Sequence, residues 1–361
     1  MRFRRARAQH FRLFHELLFE PHPGLNIVTG ANAAGKTTLL EALYVAARGE
    51  SHRGAATSLV ADGQSAFQIE TRIVGEDGRP DDRVDVRWQD RRMGVRINDQ
   101  PASLSELVRR MPVLLLDPQA HQLIEEGPGI RRRFVDWGVF HMEQDFFGLW
   151  RRYNRALKQR NSALRANAGT REIESWSPEL VTTASALTDC RVAYLAKLVE
   201  RVPTYWQSLV DEDRWSIGFQ RGWKDDEPFD ETLRRNLEGD RKTGHTREGP
   251  HRAELRILSD NRLLKERISR GQQKLLIAGL VLAQGELYRQ QHGDSPVLLL
   301  DDFAAELSLA SQQRLLAALQ AWPGQCVITA LEYSPLLQEA QPHAMFHVEH
   351  GAITHLKNLT T

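Results

Sequence analysis

The segment GANAAGKT at Gly30–Thr37 meets the pattern G-x-x-x-x-G-K-[ST], and no other stretch of this chain constrains its fold as much. The apolar run Leu25-Asn26-Ile27-Val28 before it reads as a strand, and Thr38-Leu39-Leu40-Glu41-Ala42-Leu43-Tyr44 after it reads as a helix. A glycine-rich turn between strand and helix points successive backbone N–H groups inward at the positive helix end, making a nest for phosphate oxygens. The residues expected to cradle phosphate are Gly30, Ala31, Asn32, Ala33, Ala34, Gly35, Lys36 and Thr37. In this pattern Lys36 reaches the β- and γ-phosphates and the Thr37 hydroxyl holds Mg2+, so the expected ligand is ATP or GTP. A Gly/Ala-rich turn that binds nothing is the plainer alternative.

Near the other end, Val297-Leu298-Leu299-Leu300 runs into Asp301-Asp302. An apolar strand ending in acid is common alone, but paired with a phosphate loop it is a Walker B pattern. Asp301 is then the expected second Mg2+ ligand, and Asp302 the group that orients the attacking water. About 260 residues separate the two motifs, so something large is inserted between two halves of one nucleotide site. Just before Walker B, Ser269-Arg270-Gly271-Gln272 opens a long apolar-rich helix expected over 272–290. Ser-x-Gly-Gln at a helix start is the arrangement of the cassette-ATPase signature. A serine hydroxyl, a glycine N–H and a helix N-terminus make a second anion site, useful when a second copy presents its ATP. The bland alternative is a helix N-cap at Ser269.

The remaining segments read as an α/β head with a helical insertion. Phe67, Ile69, Thr71 and Ile73 alternate with polar residues, as do Val84, Val86 and Trp88, then Met93, Val95 and Ile97. With turn-rich pieces at Gly75–Asp82 and Gln89–Arg92 between them, they predict an antiparallel meander. Val113–Leu116 reads as a buried strand ending at Asp117-Pro118-Gln119, and Gln119 or Gln122 stands where a glutamine loop would sense γ-phosphate. From about Ala120 to Val210 the period is helical, with one helix over Met142–Arg165 and another whose apolar residues run from Leu180 to Val202 before Pro203. Trp215–Arg221 and His251–Leu258 read as strands restarting the head, and the polar stretch Glu238–Pro250 as a mobile loop. The expected division is head 1–119, short helical arm 120–210, and head again 211–361.

Charge is informative only locally. The formal net charge is +1, and 26% of residues are charged against 41% apolar, as in an ordinary soluble chain. No apolar run approaches the ~18 residues that would span a bilayer. The basic N-terminus lacks a signal-peptide core, and Cys190 and Cys326 show no metal-ligand spacing, so a cytoplasmic location is expected. Arg151–Arg171 carries Arg151, Arg152, Arg155, Lys158, Arg160, Arg165 and Arg171 with no acidic residue, and Trp150 and Tyr153 interleave. Such a helix suits a phosphate backbone, so DNA contact is expected at Arg151, Arg152, Arg155, Lys158 and Arg160. A solvated helix face is the competing reading, and Arg131-Arg132-Arg133 upstream suits structural ion pairs equally well.

Taken in order, Phe11–Phe14, GANAAGKTTLLEAL, Ser51-His52-Arg53, Gly127–Asp136, Gly249–Arg252, Ser269–Lys274 and Leu299–Ser308 resemble the RecF family of recombination-mediator ATPases along essentially the whole chain. That resemblance implies an ABC/SMC-type head with a short helical second lobe, dimerising head to head on ATP. It implies binding to duplex DNA near single-strand junctions, with RecR and RecO partners, to assist RecA loading, gap repair and the SOS response. By position it assigns Gly30–Thr37 to ATP, Thr37 and Asp301 to Mg2+, Asp302 to the water, and Ser269–Gly271 to the partner's γ-phosphate. Three positions depart from the family pattern: Ala253-Glu254 follows His251-Arg252 where two acids are usual, His52 replaces an aromatic, and Cys326–Ala330 offers Thr329 where a switch histidine is common. Asp302 is one methylene shorter than the glutamate of fast cassette ATPases, from which slow hydrolysis that times clamp release is expected; the resemblance implies that DNA stimulates it. A transporter ATPase subunit and a small-molecule P-loop kinase are the rival classes. The first lacks the inserted arm, and the second gives no reason for Ser269–Gln272.

Overall fold

The computed structural model describes residues 1–74, 81–210, 215–259, 262–264, 268–340 and 343–356. The chain opens with β1 (Arg2–Phe11), β2 (Phe14–Phe19), β3 (Leu25–Thr29) and α1 (Lys36–Arg48). Next come β4 (Phe67–Val74), β5 (Asp82–Gln89), β6 (Arg92–Ile97), β7 (Gln100–Pro101), α2 (Leu104–Arg110) and β8 (Val113–Leu116). Helices α3 (Gln122–Glu125), α4 (Pro128–Met142), α5 (Phe146–Arg165), α6 (Thr170–Glu174) and α7 (Ser177–Val210) follow. Then come β9 (Trp215–Gln220), α8 (Phe229–Arg235), α9 (Leu237–Thr243), β10 (Glu254–Ser259), β11 (Arg262–Leu263) and the long α10 (Arg270–His292). The chain closes with β12 (Val297–Leu300), α11 (Leu309–Gln320), β13 (Cys326–Ala330), α12 (Pro335–Glu339), β14 (Ala344–Glu349) and β15 (Ala352–His355).

These elements form two compact units. The first comprises 1–121, 208–210 and 270–361, and the second 122–207 and 211–269. In the first unit, β15-β14-β3-β13-β12-β8 make one sheet, parallel from β14 to β8 with β15 antiparallel at its edge. Every residue of β3, β12 and β13 is buried. Such continuous burial is what a parallel strand covered on both faces requires. The other sheet, β2-β1-β4-β5-β6-β7, is antiparallel, and along β4 burial alternates with the residue period, leaving one face for the core. Leu39, Leu40, Leu43 and Ala46 of α1 cluster with Phe3, Phe11 and Phe67 of the antiparallel sheet and Val28, Val297 and Val327 of the parallel one. The phosphate-loop helix is therefore also the central layer of the core, each fully buried leucine contributing ~1.5–3 kcal/mol. The meander expected from alternation forms, although residues 75–80 of its first turn lie outside the described residues.

The second unit differs from expectation in three ways. Residues 211–269 group with the helices and do not rejoin the head. The reason is pairing: β9 and β10 form a three-stranded antiparallel sheet with β11, separate from both large sheets. Side chains of the helices also hold them, since Arg131 of α4 donates to both carboxylate oxygens of Glu254 and Arg191 of α7 donates to the Pro250 carbonyl. Second, the stretch read as a mobile loop carries α9, with Asp240 and Thr246 buried. Asp240, Arg241, Thr246, Arg247 and Glu248 in it are ion-pair or hydrogen-bond partners. Third, α7 continues through Pro203 to Val210. A proline forfeits one helical hydrogen bond, but Val202 and Trp206 on either side stay buried and keep the apolar face continuous. The helix expected over Met142–Arg165 forms as α5, starting at Phe146 and ending at Arg165 as expected. Among the described residues no helix is long and apolar enough to cross a membrane.

Candidate functional site

Strand β3 delivers Gly30, and α1 starts at Lys36, so the loop lies between a buried strand end and a helix N-terminus. A Cβ at Gly30 would lie 2.3 Å from the Val348 carbonyl oxygen, which only glycine avoids. Gly35 sits at φ 121°, a conformation that L side chains rarely adopt, and Ala33 is left-handed at φ 63°. These turns give the loop the curled backbone an anion nest needs. The Lys36 ammonium donates to the carbonyls of Gly30 at 2.7 Å and Ala31 at 2.9 Å. Burial pulls its pKa below the ordinary lysine value, against the opposing pull of the Asp302 and Asp301 carboxylates.

The sheet order places β13 between the phosphate-loop strand β3 and the Walker B strand β12. The chemistry converges there. The Thr37 hydroxyl donates to Asp301 Oδ2 at 2.8 Å across 264 residues of sequence, and the Thr329 hydroxyl donates to Oδ1 at 2.6 Å. Thr329 Oγ1 in turn accepts the Asp302 N–H at 2.8 Å. Asp301 is buried, whereas Asp302 is exposed and left-handed at φ 55°. A hydroxyl beside a buried carboxylate is a hard oxygen pair, and it fits Mg2+, which takes one or two protein oxygens and completes its shell with phosphate and water. The sequence alone placed Thr329 where a histidine is common. Its role as the hinge between Asp301 and Asp302 was not legible there, since nothing local says which strand lies beside β12.

A cleft of about 300 Å³ is lined by Asn32, Lys36, Thr37, Arg53, Asp301, Asp302 and Thr329, with Leu13 and Leu331 also among its walls. Arg53 is exposed and is a site residue the motif reading left without a role. Its placement follows from a neighbouring network. Arg12 donates to Glu41 Oε1 at 2.9 Å, and the Ser51 hydroxyl donates to the same oxygen at 2.5 Å. Glu41 is fully buried on α1, so three segments quoted from separate motifs meet at one carboxylate. Beside it, His52 Nε2 lies 3.6 Å from Asp117 Oδ2; burial lowers the His52 pKa and raises that of Asp117. Gln119 is exposed and is not among the residues lining the cleft. Gln122 begins α3 in the second unit.

Arg270 is the first residue of α10, as the helix-start reading requires, and Ser269 directly precedes it. Gly271 lies against the turn after Walker B, where a Cβ would come within 2.6 Å of the Glu306 carbonyl oxygen. Arg270 Nη1 is 3.4 Å from Glu306 Oε1, and Gln272 is half-buried.

The expected DNA-contacting residues divide. Arg151, Arg155 and Lys158 are exposed on α5. Arg152 is exposed but bound to both carboxylate oxygens of Glu179, at 2.7 and 3.0 Å. Arg160 overturns the expectation: it is 1% exposed, and its Nη1 donates to Asp240 at 2.8 Å and Thr246 at 2.6 Å. Position explains this, because Tyr153, Ala156 and Arg160 share the inward stripe of α5. Arg131 is likewise held by Glu254 and the carbonyls of Leu123 and Glu126.

With this geometry in hand, comparison with known proteins is specific. The family described as RecF/RecN/SMC N terminal domain matches residues 3–354. The DNA replication and repair protein RecF of Stenotrophomonas maltophilia is 38% identical, covering 98% of this chain and 99% of that one. The protein of the same name from Thioalkalivibrio sulfidiphilus is 35% identical, covering 97% and 98%. Among solved structures, the recombination mediator protein RecF–ATPrS of the RecFOR pathway has a TM-score of 0.87 at 24% identity, covering 99% of this chain and 98% of that chain. An Smc head bound to the C-winged helix domain of ScpA has a TM-score of 0.62 at 13% identity, covering 100% and 98%. These two likenesses speak for the fold, which is the ABC/SMC-type ATPase head. Identity along nearly the entire length, and a phosphate loop and Walker B strand that meet although a helical unit is inserted between them in sequence, lead to one conclusion: the chain belongs to the RecF family of DNA replication and repair proteins.

Proposed function

We propose that this chain is an ATP-dependent DNA clamp that dimerises on ATP and binds duplex DNA near single-strand gaps. With RecR- and RecO-type proteins in the cytoplasm it assists RecA loading in gap repair, replication restart and SOS induction. The single observation that carries the nucleotide part is the Thr37–Asp301 contact, which joins the phosphate loop to the Walker B carboxylate. In this reading Gly30–Lys36 cradle the phosphates, and Thr37 with Asp301 hold Mg2+, which offsets charge on the triphosphate. Asp302 orients water, and Ser269–Gln272 face the partner's γ-phosphate. Hydrolysis is slow, is stimulated by DNA, and resets the clamp. Exposed Arg151, Arg155 and Lys158 support DNA contact by α5, now without Arg160. The residue ranges 1–121, 208–210 and 270–361 supply the head in this reading, with 122–207 and 211–269 as the arm.

The test is sedimentation of the purified chain with no nucleotide, with ADP, or with a non-hydrolysable ATP analogue, each with and without a gapped duplex. Dimers in the ATP-analogue arm alone, carrying DNA down with them, are expected. A monomer in every arm removes the physical basis of the signature reading and returns the kinase alternative.

A further inference from the structure

Lys274 lies one turn into α10, 8% exposed, and it is the remaining charged residue of the SRGQQK segment after Arg270. Its ammonium donates to three main-chain carbonyls: Asp302 at 2.6 Å, Ala305 at 3.1 Å and Phe303 at 3.3 Å. An ammonium has three N–H donors, so all three are used on one turn of backbone. That turn is not relaxed, since Asp302 at φ 55° and Glu306 at φ 65° are both left-handed without being glycine. Asp302 is gripped from both sides: its N–H by the Thr329 hydroxyl and its carbonyl by Lys274. The same first turn of α10 touches the Walker B turn twice more, through Gly271 against the Glu306 carbonyl and Arg270 near the Glu306 carboxylate. Burial lowers the Lys274 pKa while Asp302, Glu306 and Asp301 raise it, so the acidic turn offsets part of the cost of an ammonium there.

We propose that Lys274 is a positioning residue for hydrolysis: it clamps the strained Asp302 backbone to the first turn of the signature helix, so that engaging the signature and aiming the Asp302 carboxylate are one mechanical event. The inference rests on the ATPase reading above. Lys274 is not among the residues lining the phosphate-loop cleft; it acts through the direction in which Asp302 leaves the backbone. A purely structural lysine would affect folding and leave the turnover of folded protein alone. The clamp predicts the reverse signature, a fall in kcat with nucleotide affinity retained.

The measurement compares wild type, Lys274→Met, Lys274→Arg, Asp302→Asn and the double variants, each read for phosphate release, equilibrium binding of a fluorescent ATP analogue, and thermal unfolding. Lys274→Met should lose at least ~10-fold in kcat while analogue affinity stays within ~3-fold, and the double variant should be no slower than Asp302→Asn alone, because the two act as a unit. Lys274→Arg covers the case in which the methionine variant does not fold. A guanidinium keeps the charge but cannot set three N–H groups on one convergence point, so its kcat should still fall ~5-fold, and its double variant should be no slower than Asp302→Asn alone. A folded Lys274→Arg variant with wild-type kcat, or losses that multiply in the double variant, would overturn the clamp. Wild type that binds the analogue yet releases no phosphate takes down the ATPase reading itself, and the clamp with it.

Discussion

His251 shows how a single residue's surroundings become a measurable property of the whole chain. The Tyr153 hydroxyl lies 2.6 Å from its Nδ1, and Nε2 lies 3.0 Å from the Thr246 carbonyl. A carbonyl only accepts, so Nε2 carries the proton, Nδ1 accepts from tyrosine, and the ring is neutral. Burial, helped by Arg252 and Arg132, pushes its pKa down to about 4 from 6.5, with the Thr246 carbonyl opposing. The unfolded chain therefore takes a proton that the folded chain refuses. Its stabilisation is fully present above pH ~6.5 and is lost as pH falls toward 4, a change on the order of 3 kcal/mol. Urea unfolding between pH 7 and 4.5 should show this decline, and His251→Gln should flatten it. Arg160 makes a second case. Removing it leaves Asp240, 1% exposed, without its nearest cation, so Arg160→Ala should cost ~3–5 kcal/mol in the same assay.

Among the elements, α4 and α7 depend on one absent side chain. A Cβ at Gly138 of α4 would lie 2.1 Å from the ring of Tyr194 on α7, and Tyr194 is itself buried. Alanine would gain ~1 kcal/mol of helix propensity. Overpacking a rigid aromatic costs ~1–3 kcal/mol and more when neither partner can give way. The clash should win, and Gly138→Ala should lower the melting temperature by roughly 2–10 °C. A melting point equal to or above wild type would show that Tyr194 has room to move. The same logic explains α5, where the inward stripe takes Arg160 and the outward one keeps Arg151, Arg155 and Lys158. The charge run was one block in sequence, but the 3.6-residue period cuts it into two populations with different duties.

For the whole molecule, the division of α5 predicts which changes alter stability and which alter partners. Arg155→Ala and Lys158→Ala should leave unfolding unchanged and weaken duplex binding across sequences alike. The slope of log affinity against log salt should become shallower by roughly 0.9 for each phosphate that is no longer neutralised. Unchanged slopes in both variants would move the DNA surface away from α5. The net charge of +1 gives no global field to steer a polyanion, so the electrostatic part of the proposed duplex binding has to come from local cations such as these.

What was legible in the sequence was what local pattern controls. The phosphate loop, the all-apolar Walker B strand, the alternating meander and the start of α10 each lie within a short window whose period or spacing dictates its form. Their order along the chain was enough to identify the family and the split head. Pairings far apart in sequence were not legible, because no local pattern records them. Thr329 reaches Asp301 only because β13 lies beside β12, and Arg160 is buried only because Asp240 comes to meet it. Residues 211–269 join the helical unit because β9, β10 and β11 pair among themselves, a choice of partner that alternation cannot express. Lys274 reads in sequence as one more charge on a helix. Only the packing of that helix against the Walker B turn sets its ammonium among three carbonyls, since burial, not residue type, decides what a lysine must bond.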